Sequence, residues 1–170
     1  IRRHESTRSR IAAAVSDSAA FELTVATSQW QEFVRDFARR VVQVGVGEAA
    51  VTHGNFESVL AARFAHLCDG RAPEECVTIR FPADAALLAF DEASADPPSG
   101  YDGQVAVGCF WISCVRSRNH VTVSIASATR SIAQLMRESD SVRDAFRSLA
   151  VHAKDRQVRV VDEWHDVRTL

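Results

Sequence analysis

The spacing of apolar side chains changes period several times along this chain. Phe21, Leu23 and Val25 alternate with Glu22 and Thr24, a two-residue period that predicts a half-buried strand. The apolar run Ile11 to Val15, closed by Ser16-Asp17-Ser18, precedes it, and the two segments read as a hairpin. From Trp30 the period lengthens. Trp30, Phe33, Val34, Phe37 and Val41 share one helical face, with Arg35, Asp36, Arg39 and Arg40 mostly on the other. Ser28 and Gln31 have the spacing of a capping box for this helix, and Gly45 and Gly47 are its expected stop. A second helix is expected after Asn55, burying Phe56, Val59, Leu60, Phe64 and Leu67, with Asp69-Gly70 ending it.

Cys76 to Phe81 reads as a strand that Pro82 interrupts, and Ala86 to Phe90 reads as another short strand. The stretch Ala93 to Gly103, with Pro97-Pro98 and several Ser, Gly and Asp residues, reads as an exposed loop. Gln104 to Val115 and His120 to Ala126 then form the strongest hairpin signal, around Arg116-Ser117-Arg118-Asn119. Strict alternation places Val105, Val107, Cys109, Trp111, Ser113 and Val115 on one face, and Ala106, Gly108, Phe110, Ile112 and Cys114 on the other. Both faces are apolar, which predicts a central strand. Helical spacing returns at Ile132, Leu135 and Met136, and at Val142, Ala145, Phe146 and Leu149 after a cap at Asp140 or Ser141. Gln157 to Val161 is a final strand.

Hairpins and consecutive helices, in place of strict β-α alternation, predict an α+β fold: a mainly antiparallel sheet of about five to seven strands against about four helices. The expected core is Phe33, Phe37, Phe56, Leu60, Phe110, Ile112, Val123, Ile132, Leu135, Phe146 and Leu149. A length of 170 residues suits one domain, with residues 1–9 read as a flexible basic segment. Apolar residues at 46% and charged residues at 25% exclude a disordered or collagen-like chain. No apolar stretch reaches the ~20 residues of a membrane span, and the basic start lacks the apolar core of a secretory signal. The four cysteines form no C-x-x-C pair and read as reduced thiols in a cytoplasmic protein, without a structural disulfide.

A net charge of −2 supplies no global basic field, which argues against a nucleic-acid partner. The local distribution is sharper. No Lys or Arg lies between Arg80 and Arg116, whereas Asp84, Asp91, Glu92, Asp96 and Asp102 all do. P-loop and dinucleotide glycine patterns, a serine elbow, a zinc helix and a deaminase motif are all missing, so no cofactor and no metal is expected. Cys68, Cys76 and His66 have no close ligand spacing to Cys109 or Cys114, which should face opposite sides of one strand. His120 or His152 as the base for a catalytic cysteine has no local signature either. Arg35, Arg39 and Arg40 are read as a solvated helix face and Trp30 as core.

These observations favour a non-catalytic protein-binding domain, of the kind formed by bacterial antitoxin or immunity proteins. Asp91, Glu92, Asp96 and Asp102 would meet a basic protein partner by long-range attraction. Two alternatives stand beside it: an enzyme with a site near Asp162, Glu163, His165 and Asp166, and a structural homo-oligomer.

Overall fold

The computed structural model describes residues 18–46, 49–66, 74–93, 103–162 and 167–170. The chain folds as an α+β protein around one antiparallel sheet. Its strands are β1 (Ala19–Ala26), β2 (Val41–Val46), β3 (Ala49–Thr52), β4 (Glu74–Pro82), β5 (Gln104–Arg116), β6 (His120–Ser127), β7 (Arg159–Asp162) and β8 (Val167–Thr169). They lie in the order β3-β2-β4-β5-β6-β1-β7-β8, which puts β5 in the interior of the sheet as its two apolar faces predict. Among the described residues the helices are α1 (Trp30–Ala38), α2 (His53–His66), α3 (Ala85–Ala93), α4 (Arg130–Glu138) and α5 (Asp140–Arg147).

The helices pack on one face of the sheet. Phe21, Leu23 and Val25 of β1, Val77, Ile79 and Phe81 of β4, and Val121, Val123 and Ile125 of β6 point into a single buried cluster. Every expected core residue is buried in it. Its centre is aromatic: the Phe146 ring centroid lies 4.6 Å from Phe21, 5.8 Å from Phe110 and 6.0 Å from Phe81. Trp30 is core as expected, stacked on Phe64 at 4.6 Å. A carboxylate also lies on this side, because Glu75, opposite Ile112, is only 1% exposed.

Several local expectations are corrected. The Ser28–Gln31 capping box does not form. A 3-10 turn, Thr27–Gln29, runs straight into α1, and Trp30 N–H donates to Thr27 O. Thr27 itself is held by Asn119 O in the β5–β6 turn, through its N–H at 3.1 Å and its hydroxyl at 3.3 Å. Helix α1 stops at Ala38, well before the glycines. Arg40 N–H turns back to Phe37 O, Arg40 O accepts Arg80 N–H, and the ladder with β4 draws Val41 into the sheet.

Ala86 to Phe90 is helical, not a strand. Asp84 caps α3 through Oδ1, which accepts Leu87 N–H at 2.9 Å, and the run behind it is rich in helix-favouring Ala and Leu. The cap of α5 is Ser139, whose Oγ accepts Val142 N–H. Ile11 to Val15, the first half of the expected N-terminal hairpin, lies outside the described residues. β1 pairs with β6 and β7.

Strict alternation on β5 also fails. Val105 and Val107 are buried, and beyond them Phe110, Ile112 and Cys114 are. Between the pairs Val77–Phe110 and Ile79–Val107, β5 holds one more residue than β4, so a bulge at Gly108-Cys109 exchanges the two faces. Glycine is needed there, since a Cβ at 108 would lie 2.6 Å from Thr78 Oγ1. Beside the bulge, Cys76 and Cys109 are disulfide-bonded across β4 and β5, with Cα atoms 5.6 Å apart. This overturns the reading of all the cysteines as reduced thiols, and with it the cysteine argument for a reducing compartment. No helix among the described residues is long and apolar enough to cross a membrane.

Candidate functional site

Antiparallel partners share a face, so the pairing register maps the side of the sheet away from the helices. Cys76 lies opposite Trp111, Trp111 opposite Ala126, Ala126 opposite Ala20, and Ala20 opposite Val161. This apolar row crosses five strands. Ser113, Ser124, Glu22 and Arg159 form a polar row next to it, and Val115, Thr122 and Thr24 the row beyond. Trp111 is 44% exposed and Val115 59%. The cross-strand neighbour of Trp111, Ala126, and Ala20 beyond it, are small.

The disulfide edges the same face beside Trp111. The bulge is the reason Trp111 points outward while Val107, an odd-numbered residue of the same strand, points inward. Alternation alone had grouped those two residues. A glycine inside a strand pattern is the signal that marks such a break.

Of the four acidic residues expected to meet a partner, Asp91 and Glu92 lie within the described residues. Asp91, half-buried, lies near the end of α3 on the same helical flank as Leu88, which is 41% exposed. Glu92 lies on α3 one position further, and Asp96 and Asp102 fall outside the described residues. Asp84, the first acid of the run, belongs to the structure's interior bonding. Its Oδ2 accepts Ser139 Oγ–H at 2.7 Å and Ser141 N–H at 3.0 Å, while Oδ1 caps α3. Partial burial opposes its ionisation, but the hydrogen bonds from Leu87, Ser139, Ser141 and Ala86 outweigh it and hold the carboxyl below its ordinary 3.8.

Asp162 ends β7, and Glu163, His165 and Asp166 lie outside the described residues. His152 Nε2 is 3.0 Å from Asp36 Oδ2, with its ring edge against Phe33, so it ties the segment after α5 to α1. Burial pushes the Cys114 thiol up to about 12, leaving it protonated and a poor nucleophile at neutral pH. Among the described residues no three His, Cys, Asp or Glu side chains converge as a metal site. Arg35 is an exposed side chain of α1, as expected, whereas Arg39 and Arg40 lie in the turn beyond that helix. No family model, curated protein or solved structure matches the chain.

Proposed function

We propose that this chain is a non-catalytic protein-binding domain whose partner docks on the open face of the sheet. The observation that carries the reading is Trp111, nearly half exposed within an apolar row across five strands. A tryptophan ringed by small residues and a polar border has the anatomy of an interface anchor. Covering the exposed part of an indole side chain of ~250 Å² contributes about 2–3 kcal/mol at ~25 cal/mol per Å². Glu22 and Arg159, paired on the adjacent row, supply the charged border that sets orientation.

The antitoxin- or immunity-type form of this reading adds a basic partner met by Asp91, Glu92, Asp96 and Asp102. What supports it is the stretch without Lys or Arg from Arg80 to Arg116, together with exposed Leu88 beside Asp91 on α3.

Photo-crosslinking in the source cells separates the two surfaces, with the crosslinker placed at Ser113 on the open face or at Leu88 on α3. The expected result is a protein adduct from Ser113 that disappears when Trp111→Ser is introduced into the same chain. Absence of that adduct, or its persistence in Trp111→Ser, refutes the open face as the docking surface. An adduct from Leu88 alone, lost when the four acids become amides, assigns the function to the acidic segment instead.

A further inference from the structure

Large and small side chains on the open face are segregated by strand. On β5 the face presents Trp111, Ser113 and Val115, of which Trp111 and Val115 are exposed. In the same three rows β6 carries Ala126, Ser124 and Thr122, and β1 beyond it carries Ala20, Glu22 and Thr24. Two bulky apolar groups therefore lie on one side of β6, and an alanine and a threonine occupy the matching rows on the other. Charge is divided in the same way. Glu74 of β4 and Arg159 of β7 both fall in the Ser113 row, two strands from β6 in opposite directions.

A solvated outer face is the ordinary state of an antiparallel sheet. That accounts for Ser113, Ser124 and Thr122, but not for large apolar groups on β5 matched row by row with short side chains on β1. A half-turn about an axis along β6 superposes β5 on β1 and β4 on β7. A face whose bulk and charge are exchanged by such a rotation is complementary to itself, which is the requirement for a two-fold interface.

We propose that the partner docking on the open face is a second copy of this chain, packed face to face about a two-fold axis close to β6; the inference rests on the open face being the docking surface. Trp111 covers the partner's Ala20, Val115 covers the partner's Thr24, and the Ser113 hydroxyl donates to the partner's Glu22. The short side chains Ala126, Ser124 and Thr122 lie along the axis and let the sheets approach to the ~10 Å of packed sheets. Arg159 extends toward the position of Glu74 in the other copy, and its length absorbs the ~30° at which twisted sheets cross. Within its own chain Arg159 is paired with Asp155, but both side chains are exposed and such a pair contributes little. Five strands about 4.8 Å apart and three rows about 7 Å apart offer about 500 Å² per copy, about 1,000 Å² for the pair, the lower bound of a specific interface. The dimer should accordingly have a Kd of about 1–100 μM.

Sedimentation equilibrium of the full chain across about 1–200 μM tests this, with circular dichroism confirming the fold of each variant. A monomer–dimer equilibrium is expected. Trp111→Ser should weaken it about thirtyfold or more, and Arg159→Glu and Glu74→Arg about tenfold each. The two charge changes in one chain should restore the dimer. Leu88→Ala, on α3, should leave it unchanged. Dimerisation that survives Trp111→Ser and both charge changes would place the contact elsewhere, at a sheet edge or on the helices, and overturn the proposal. A chain that stays monomeric while the Ser113 crosslinker still captures a different protein through Trp111 overturns self-docking and leaves the docking reading standing. A monomeric chain without any adduct overturns both.

Discussion

Phe146 is the side chain whose removal should reveal most about how the layers are held together. It comes from α5, and its ring meets Phe21 of β1, Phe110 of β5 and Phe81 of β4, at centroid distances of 4.6, 5.8 and 6.0 Å. Three strands and a helix therefore share one aromatic contact set, and the residue is only 2% exposed. Phe146→Ala removes the ring and leaves a cavity that the rigid sheet beneath cannot close, so the cost should fall at the upper end of the ~3–5 kcal/mol range. For a domain of total stability ~5–15 kcal/mol that is a large fraction, equivalent to a fall in Tm of roughly 10–20 °C. Urea unfolding followed by circular dichroism gives the value directly, with the slope checked for constancy. Phe146→Leu, which retains most of the volume, should cost about 1–1.5 kcal/mol. Leu88→Ala, at a side chain 41% exposed, should change stability by no more than about 0.5 kcal/mol. A Phe146→Ala cost below about 1.5 kcal/mol, or one equal to that of Leu88→Ala, would refute the aromatic cluster as the centre of the core.

Three further outcomes follow from the same geometry. Asp84→Ala removes the cap of α3 and the tie to Ser139 and Ser141, and should cost about 2–3 kcal/mol at pH 7. Because the folded-state carboxyl lies below its ordinary 3.8, its contribution is present above that pH and lost as pH falls through the lower folded value, so acid unfolding curves of variant and parent should converge there. The disulfide closes a separation of 33 residues, so Cys76→Ser with Cys109→Ser should destabilise by about 2–4 kcal/mol, and reductant should lower Tm in the parent but not in the double variant. Gly108→Ala should cost roughly 1–3 kcal/mol by crowding the stiff Thr78 side chain, and Thr78→Ala in the same chain should restore most of the loss, measured as a double-mutant cycle.

Periodicity was a good guide wherever one face of an element carries the apolar residues. The stripe of α1, the strand Phe21 to Val25 and the hairpin after Gln104 lie where their spacing places them. Ala85–Ala93 failed because a short apolar run has no period to read, and the decisive group was the Asp84 cap. Val41 has helical spacing to Phe37, yet the pairing of β2 with β4 claims it, a tertiary contact that no local pattern encodes. The Cys76–Cys109 bond is hidden for the same reason, since a sequence separation of 33 conceals the adjacency of two strands. Arg35, Arg39 and Arg40 read as one helix face in the sequence, whereas only Arg35 lies on α1 and Arg39 and Arg40 form the turn into β2.

One inserted residue in β5 connects most of what distinguishes the two faces of this sheet. Without the bulge at Gly108-Cys109, alternation from Val105 and Val107 would carry Trp111, Ser113 and Val115 inward. Phe110 and Ile112 would then face away from the helices, and the Phe146 cluster would lose one of its rings. With the bulge, the helix-facing side keeps Phe110, Ile112 and Cys114, and Trp111 is delivered to the open side next to Cys76. The disulfide from Cys76 to Cys109 ties β4 to β5 at that point and resists a slip back to uniform pairing. Register, core packing and the proposed docking surface therefore depend on the same local irregularity. Damage at Gly108 should consequently weaken partner binding and folding together, whereas Trp111→Ser, on the open face, should separate them.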